Sequence, residues 1–225
     1  TKLSNINNYS VLIPNKKGFL EAENFGVKEI CTVLCVTDSM NLKNINQPVN
    51  QTIKNLKDIF RESHESNINS KCYVSVAFHC PYEGRVDASY VEDVVGILLD
   101  YQVKEIVIAD TIGAANPKEV TFLLSALTNT YKEAKFSCHF HDTNALGLAN
   151  VYASIEAGIN KFDSCIGGLG GCPFAPNSSG NLATEDLVGM LEMMNINTGI
   201  NLDKLLSARE VAANLTGLSL KGRMF

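Results

Sequence analysis

Residues 165–181 read C-I-G-G-L-G-G-C-P-F-A-P-N-S-S-G-N, and the interpretation of the whole chain starts from this stretch. It begins at the end of an apolar run, has glycines on both sides of Leu169, and presents Cys172 directly before a proline. Glycine permits positive φ and lets the main chain approach a ligand closely. The pattern therefore predicts a loop that arches over a site and holds the Cys172 thiol above it.

A second polar cluster lies roughly thirty residues upstream, where the apolar run 136–141 ends in His139, His141, Asp142 and Thr143. Residues at i and i+2 of a strand point to the same face, so both imidazoles are expected on one side of the sheet. Two imidazoles and an oxygen ligand suit a divalent metal ion. On spacing alone, a pair of ordinary surface or core histidines remains the alternative.

Strand-like and helix-like segments alternate along the rest of the chain. The predicted strands are 9–13, 30–36, 72–78, 106–109, 136–141 and 162–166, and the predicted helices are 19–26, 49–64, 90–101, 120–131, 147–157 and 184–194. Near-continuous apolar strands of this kind are typical of a parallel sheet that is buried on both faces. No G-x-G-x-x-G follows the first strand, which argues against a dinucleotide-binding fold.

Polar residues follow several of the predicted strands, including Asn15, Glu83, Asp110 and His139. Functional residues at the carboxyl ends of successive strands are typical of a (β/α)8 barrel. Such a barrel has eight units and about 250 residues, whereas six units are visible here. The pattern therefore leaves two possibilities, an open doubly wound sheet or a barrel that lacks two units at one end.

Composition narrows the class of protein. The 225 residues carry a net charge of -5 without a basic block, which gives nucleic-acid binding little support. No apolar run approaches the ~20 residues of a membrane span. The seven cysteines form no C-x-x-C pair and are expected to be reduced thiols. No secretory or transit segment is visible, although the sequence begins at Thr1. Residues 1–225 are predicted to form one domain.

Six stretches together resemble the hydroxymethylglutaryl-CoA lyase family of metal-dependent barrel lyases. They are V-L-I-P-N (11–15), C-P-Y-E-G (80–84), A-D-T-I-G (109–113), F-H-D-T (140–143), G-G-L-G-G-C-P-F-A-P (167–176) and G-N-L-A-T-E-D-L-V (180–188). The resemblance implies an α/β fold, the (β/α)8 TIM barrel, with the first two βα units absent from this chain. In the family, those units carry an Arg-Asp pair and a further acidic residue.

The resemblance also implies a reaction, in which 3-hydroxy-3-methylglutaryl-CoA is cleaved to acetyl-CoA and acetoacetate. The implied cofactor is a divalent metal ion, Mg²⁺ or Mn²⁺, bound by His139, His141, Asn181 and the absent aspartate. The implied partner is this small-molecule substrate, with a homodimer left open and no role for nucleic acid or membrane. Leucine degradation, ketone-body formation, and a bacterial cytoplasm or mitochondrial matrix follow from the resemblance alone.

Three catalytic residues are implied in the same way. Cys172 is the loop thiol that acts as acid or base at the cleaved bond, and Asp110 and His139 are the candidate acceptors of the substrate hydroxyl proton. The structural alternative for Asp110 is that its carboxylate only caps the following turn. For the whole chain, the alternatives are another metal-dependent aldolase or acyl-CoA-condensing synthase, or a non-catalytic incomplete barrel.

Several positions depart from the family pattern or carry a simpler interpretation. Asn144-Ala145 stands where Tyr-Gly is usual, Asn177 replaces a glycine, and residues 218–225 match nothing. Asp142 is expected to orient the imidazoles or the loop. Glu185 and Asp186 are interpreted only as first-turn residues that suit a helix dipole.

Overall fold

The computed structural model describes residues 9–171, 180–220 and 222–225, and its centre is a six-stranded parallel sheet. Its strands, in spatial order, are β1 (Ser10–Leu12), β2 (Glu29–Cys35), β3 (Asn69–Ser75), β6 (Glu105–Asp110), β7 (Phe136–Phe140) and β8 (Phe162–Asp163). Two short strands, β4 (His79–Cys80) and β5 (Gly84–Arg85), form a separate antiparallel hairpin. The parallel α/β fold that the sequence predicted is confirmed, as part of a barrel that is open in the described residues.

Helices follow the strands. They are α1 (Lys16–Asn24), α2 (Asp38–Ile45), α3 (Val49–Glu65), α4 (Ala88–Asp100), α5 (Pro117–Thr130), α6 (Gly147–Glu156), α7 (Thr184–Met193) and α8 (Leu202–Thr216). Among the described helices, none is long and apolar enough to cross a membrane. The alternation of strand and helix gives each strand a carboxyl end at the same edge of the sheet, where loop residues can meet.

The outer face of the sheet forms the hydrophobic core against the helices. Leu34, Val74, Ile108 and Phe140 are each at most 1% exposed and belong to one buried apolar cluster with helix residues such as Leu124. Fully burying a side chain of this size contributes about 1.5–3 kcal/mol. This layer therefore accounts for the apolar strands in the sequence.

The inner face is more polar than the sequence led us to expect. Lys71 pairs in register with Glu105, and its Nζ lies 2.7 Å from Glu29 Oε1. Glu105 accepts hydrogen bonds of 2.7 Å from Ser137 Oγ and from Lys161 Nζ. Charged side chains fit this face because each has an oppositely charged partner within hydrogen-bond distance. The inner face therefore combines burial with paired charges, which the apolar pattern of the strands did not indicate.

Some element boundaries also differ from the predictions. The strand predicted at 162–166 contains only Phe162–Asp163, because the chain turns into a 3₁₀ helix at Ile166–Gly168, where Gly167 has φ 57°. Helix α8 was not predicted, and none of its residues is buried. Its partly buried residues do recur at helical spacing, so the pattern was present in the sequence and was missed; they are Leu202, Leu205, Leu206, Arg209, Ala212 and Ala213.

Candidate metal centre

His139 and His141 lie at the carboxyl end of β7, on the inner face of the sheet. The register pairs His139 with Ala109 and with Asp163. The two imidazole centroids are 5.3 Å apart, and His141 is only 5% exposed. The i, i+2 spacing thus brings both rings to one side of the sheet, as the sequence predicted.

Asn181 is brought to the same place by a backbone bridge to His141. Its N–H donates to the Gly170 carbonyl at 3.1 Å, and its Nδ2 donates to the Leu169 carbonyl at 2.7 Å. Its buried Oδ1 has no hydrogen-bond partner among the described residues. An unsatisfied buried acceptor costs about 1–3 kcal/mol unless a ligand satisfies it.

These three residues fit a hard divalent ion. An amide oxygen is an accepted ligand of such ions, whereas imidazole is the more usual ligand of Zn²⁺, Cu²⁺, Fe²⁺ and Ni²⁺. Within the described ranges, no group of three or more His, Cys, Asp or Glu side chains is arranged to hold a metal. A site here therefore depends on the Asn181 oxygen, with His139 and His141 supplying nitrogen.

Asp163 and Tyr73 support His139, and the sequence interpretation missed both. Asp163 Oδ2 lies 3.4 Å from His139 Nδ1 and accepts a 2.5 Å hydrogen bond from the Tyr73 hydroxyl. Burial alone would raise the pKa of Asp163, but the nearby His139 and the hydrogen bond from Tyr73 outweigh it and leave the pKa lowered. The available signal was an acidic residue at the end of an apolar strand.

The position of Asp163 bears on which nitrogen of His139 would face a metal. His139 Nδ1 has no hydrogen-bond partner among the described residues, but it faces the Asp163 carboxylate, which leaves Nε2 as the nitrogen that would bind an ion. Tyr73 also contacts the His139 ring edge-on, with centroids 5.9 Å apart. The ring orientation of His139 is therefore held from two sides.

Asp110 lies on the other face of the sheet from the two histidines. It pairs in register with Phe140, whose side chain is in the apolar core. Its carboxylate accepts the N–H groups of Ala114 at 3.1 Å and Ala115 at 3.0 Å. Burial raises its pKa to about 6, although these hydrogen bonds oppose the shift. The turn-capping role is thus visible in the structure, and the catalytic role of Asp110 stays a prediction.

Asp142 connects the strand end to the next helix. Its Oδ1 accepts the Gly147 N–H at 2.9 Å, at the start of α6, and its own N–H donates to the Gly180 carbonyl at 3.2 Å. It thereby ties the residue after His141 to the residue before Asn181. Cys172, the predicted loop thiol, lies outside the described residues.

A family model described as HMGL-like matches residues 2–212. The chain belongs to the HMGL-like family. Among its relatives, "Hydroxymethylglutaryl-CoA lyase YngG" of Bacillus subtilis is 40% identical over 96% of this chain and 72% of its own length. The human "Hydroxymethylglutaryl-CoA lyase, mitochondrial" is 40% identical over 89% of this chain and 62% of its own length. This HMGL-like chain thus spans less than two thirds of the length of its mammalian relatives.

Solved structures agree with the family assignment. The HMG-CoA lyase of Bacillus subtilis matches with a TM-score of 0.91 at 40% identity, covering 96% of this chain and 72% of that one. An HMG-CoA lyase from Acinetobacter baumannii, named as a complex with coenzyme A and 3-methylmalate, matches with a TM-score of 0.93 at 36% identity. It covers 100% of this HMGL-like chain and 73% of its own. The described sheet therefore has the fold of this family's lyases.

Proposed function

We propose that this HMGL-like chain cleaves 3-hydroxy-3-methylglutaryl-CoA to acetyl-CoA and acetoacetate with the help of a divalent metal ion. The observation that carries the proposal is the buried Asn181 Oδ1, which lacks a hydrogen-bond partner in the described residues and belongs to the segment bridged to His141. Relatives named as hydroxymethylglutaryl-CoA lyases, at 40% identity, support the choice of reaction.

The reaction breaks one C–C bond. The tertiary hydroxyl loses its proton as the adjacent C–C electron pair moves into the thioester fragment, which is then protonated to give acetyl-CoA. A divalent ion, when bound, supplies a Lewis acid for the substrate's hydroxyl and carboxylate oxygens. Carbonyl and carboxylate oxygens of this kind suit Mg²⁺ or Mn²⁺.

The chain's residues divide the remaining tasks. We assign His141 and Asn181 to metal binding and His139 to the same task through Nε2, because its Nδ1 faces Asp163. A ligated Nε2 cannot also accept a proton, so the two predicted roles of His139 compete for one atom. The role of Cys172 as the proton donor to the thioester fragment is carried by the sequence resemblance alone.

On strand β6, the inner-face residues next to the histidines bring no competing proton source, although Lys71 and Glu105 lie further along that face. Ala109 and Val107 are buried beside the histidines on the same face and bring no titratable group. Tyr73 is held by its hydrogen bond to Asp163, and burial followed by the charge of Asp163 raises the pKa of its hydroxyl. We therefore propose that Tyr73 stays protonated and orients Asp163 rather than exchanging protons with substrate.

The proposal is tested by following acetoacetate and acetyl-CoA release from 3-hydroxy-3-methylglutaryl-CoA. The 225-residue chain and the same chain with whatever its gene encodes before Thr1 are assayed with Mg²⁺ or Mn²⁺, and then with chelator. We expect both products in a one-to-one ratio, loss of activity with chelator or in His141→Ala, and full activity in His64→Ala, an exposed histidine of α3.

A second substrate pair separates lyase from synthase. If the extended chain instead consumes acetyl-CoA with a 2-oxo acid and leaves 3-hydroxy-3-methylglutaryl-CoA intact, the lyase proposal is wrong. Activity that is indifferent to chelator would contradict the metal assignment while leaving the substrate assignment in place.

A further inference from the structure

Residues Gly222–Phe225 are bound to the protein through one buried acidic residue, Asp186. Asp186, which is 2% exposed, accepts the N–H groups of Arg223 at 2.5 Å and Met224 at 2.9 Å. A buried carboxylate is stable when N–H donors satisfy it. The N–H groups of Arg223 and Met224 therefore satisfy the Asp186 carboxylate. From sequence alone, Asp186 is interpreted only as a residue that suits the helix dipole.

Two glycines leave the space that this segment fills. A Cβ on Gly189, in the buried part of α7, would lie 2.6 Å from Cε2 of Phe225. A Cβ on Gly222 would collide with the Asp186 carboxylate. Real Cβ atoms do not approach other atoms so closely, so a side chain at either position would displace the segment.

A second anchor joins the end of this segment to the start of the glycine loop. The Phe225 carbonyl accepts a 2.9 Å hydrogen bond from Arg209 Nη1, which also lies 3.4 Å from Glu185 Oε1. Glu185 is fully buried and accepts the Gly167 N–H at 3.1 and 3.0 Å. The tail and the loop are thus connected through one buried carboxylate.

Arg223 reaches the segment that carries the histidines. Its Nε donates to Asp142 Oδ2 at 3.0 Å, and its Nη2 lies 3.4 Å from the Asp142 carbonyl. Asp142 uses its other carboxylate oxygen to hold the Gly147 N–H and its own N–H to hold the Gly180 carbonyl. Arg223 therefore contacts the residue that ties the His141 strand end to the Asn181 segment.

We propose that Gly222–Phe225 acts as a C-terminal strap and that Arg223 is a positioning residue for the His141 and Asn181 segments. The Arg223 side chain is 61% exposed, so its ion pair with Asp142 contributes little to the stability of the fold. Its effect is on orientation, because the guanidinium fixes the Asp142 carboxylate that spans both segments. The strap itself rests on contacts in this chain, and only its effect on metal binding rests on the proposed function.

Arg223→Ala and Arg223→Lys test the strap, with Arg85→Ala as the matched control. Arg85 lies on the β4–β5 hairpin, and its side chain is 73% exposed. Its Nε lies 3.6 Å from Oε1 of Glu119 in α5. We measure hydrogen exchange of the peptide containing 142–147 and the Kd for Mn²⁺. Arg223→Ala is expected to speed exchange at Gly147 and to weaken Mn²⁺ binding about 10-fold. Lysine should recover part of both losses, and Arg85→Ala should change neither.

Gly222→Ala provides an independent variant, since it displaces the strap from Asp186 without altering Arg223. It should reproduce the faster exchange at Gly147. If Arg223→Ala and Gly222→Ala both match Arg85→Ala in exchange, the strap proposal is overturned. If the unaltered chain binds no Mn²⁺, the proposed metal site fails, and the exchange comparison still decides whether the strap holds Asp142.

Discussion

Asn181 shows how a single side chain can be oriented for binding before any ligand arrives. One end of its amide is fixed by the Leu169 carbonyl, and the other end presents a buried oxygen without a partner in the described residues. Because the nitrogen is anchored, the amide cannot turn to hide its oxygen in a hydrogen bond. In the proposed metal site, the direction of this one ligand oxygen is therefore set by the fold.

Asp163→Asn should weaken divalent metal binding while leaving the fold intact. The change removes the charge that faces His139 Nδ1, and losing a partner of a ligating histidine typically costs 10–100-fold in metal affinity. We expect the Kd for Mn²⁺ to rise about 10-fold by calorimetry, with a changed His139 tautomer in ¹⁵N NMR. Asp203→Asn, an exposed carboxylate of α8, is the control. Equal affinities in the two variants would remove Asp163 from the site.

Asp110 should make the folded state less stable as the pH rises from 4 to 6. Burial raises its pKa from 3.8 to about 6, so the folded chain binds the proton more tightly than the unfolded chain. Its contribution is fully present below about pH 4 and is lost as the pH rises through this window. A shift of about two units corresponds to roughly 3 kcal/mol. Urea unfolding should therefore show a fall with pH in the parent chain that Asp110→Asn lacks, and parallel curves would be inconsistent with the buried carboxyl.

Among the secondary-structure elements, strand β7 supplies the two histidines of the site. The alternation of side chains along each strand decides which residues face them. Phe140 and Asp110 share the core face, whereas His139 and Ala109 share the inner face. A register shift of one residue would exchange these faces. The antiparallel bridge between His141 and Asn181 then extends the β7 end beyond the regular sheet.

The stability of helix α5 should depend measurably on Asn116, the N-cap residue directly before it. Asn116 Oδ1 accepts hydrogen bonds from the N–H groups of Lys118 at 3.1 Å and Glu119 at 3.2 Å. The Asn116 N–H in turn donates to Glu119 Oε2 at 3.3 Å, which completes a capping box. Asn116→Ala removes this capping box and should lower the free energy of unfolding by about 1 kcal/mol. Chemical denaturation measures the loss, with the exposed Asn160→Ala as control. A loss no larger than that of the control would show that the box does not stabilise the helix.

The elements with a strong period were the ones that could be predicted from sequence. The apolar runs gave the parallel sheet, and the two-residue spacing gave the shared face of His139 and His141. Asp163 could not be found in this way, because its partners come from β7 and from β3, and their proximity depends on strand order. The face of the sheet on which Asp110 lies likewise depends on strand register. A strand that is apolar at every position gives no indication of which residues point to which face.

For the molecule as a whole, most of the residues of the site come from the second half of the chain. In the described residues the sheet ends at β1 on one side and at β8 on the other. The side chains around the histidines come from β7, β8 and the segment 180–182, with Tyr73 reaching over from β3. The C-terminal strap, which no sequence pattern indicated, closes this half through Asp186 and Asp142.

Pulsed EPR of bound Mn²⁺ is the measurement to make first, because it detects the nitrogen nuclei that ligate the ion. We expect ¹⁴N modulation from two imidazoles, reduced to one in His141→Ala and unchanged in His64→Ala. Absence of ¹⁴N modulation in the unaltered chain, or modulation that survives unchanged in His141→Ala, would contradict a metal centre built on His139, His141 and Asn181.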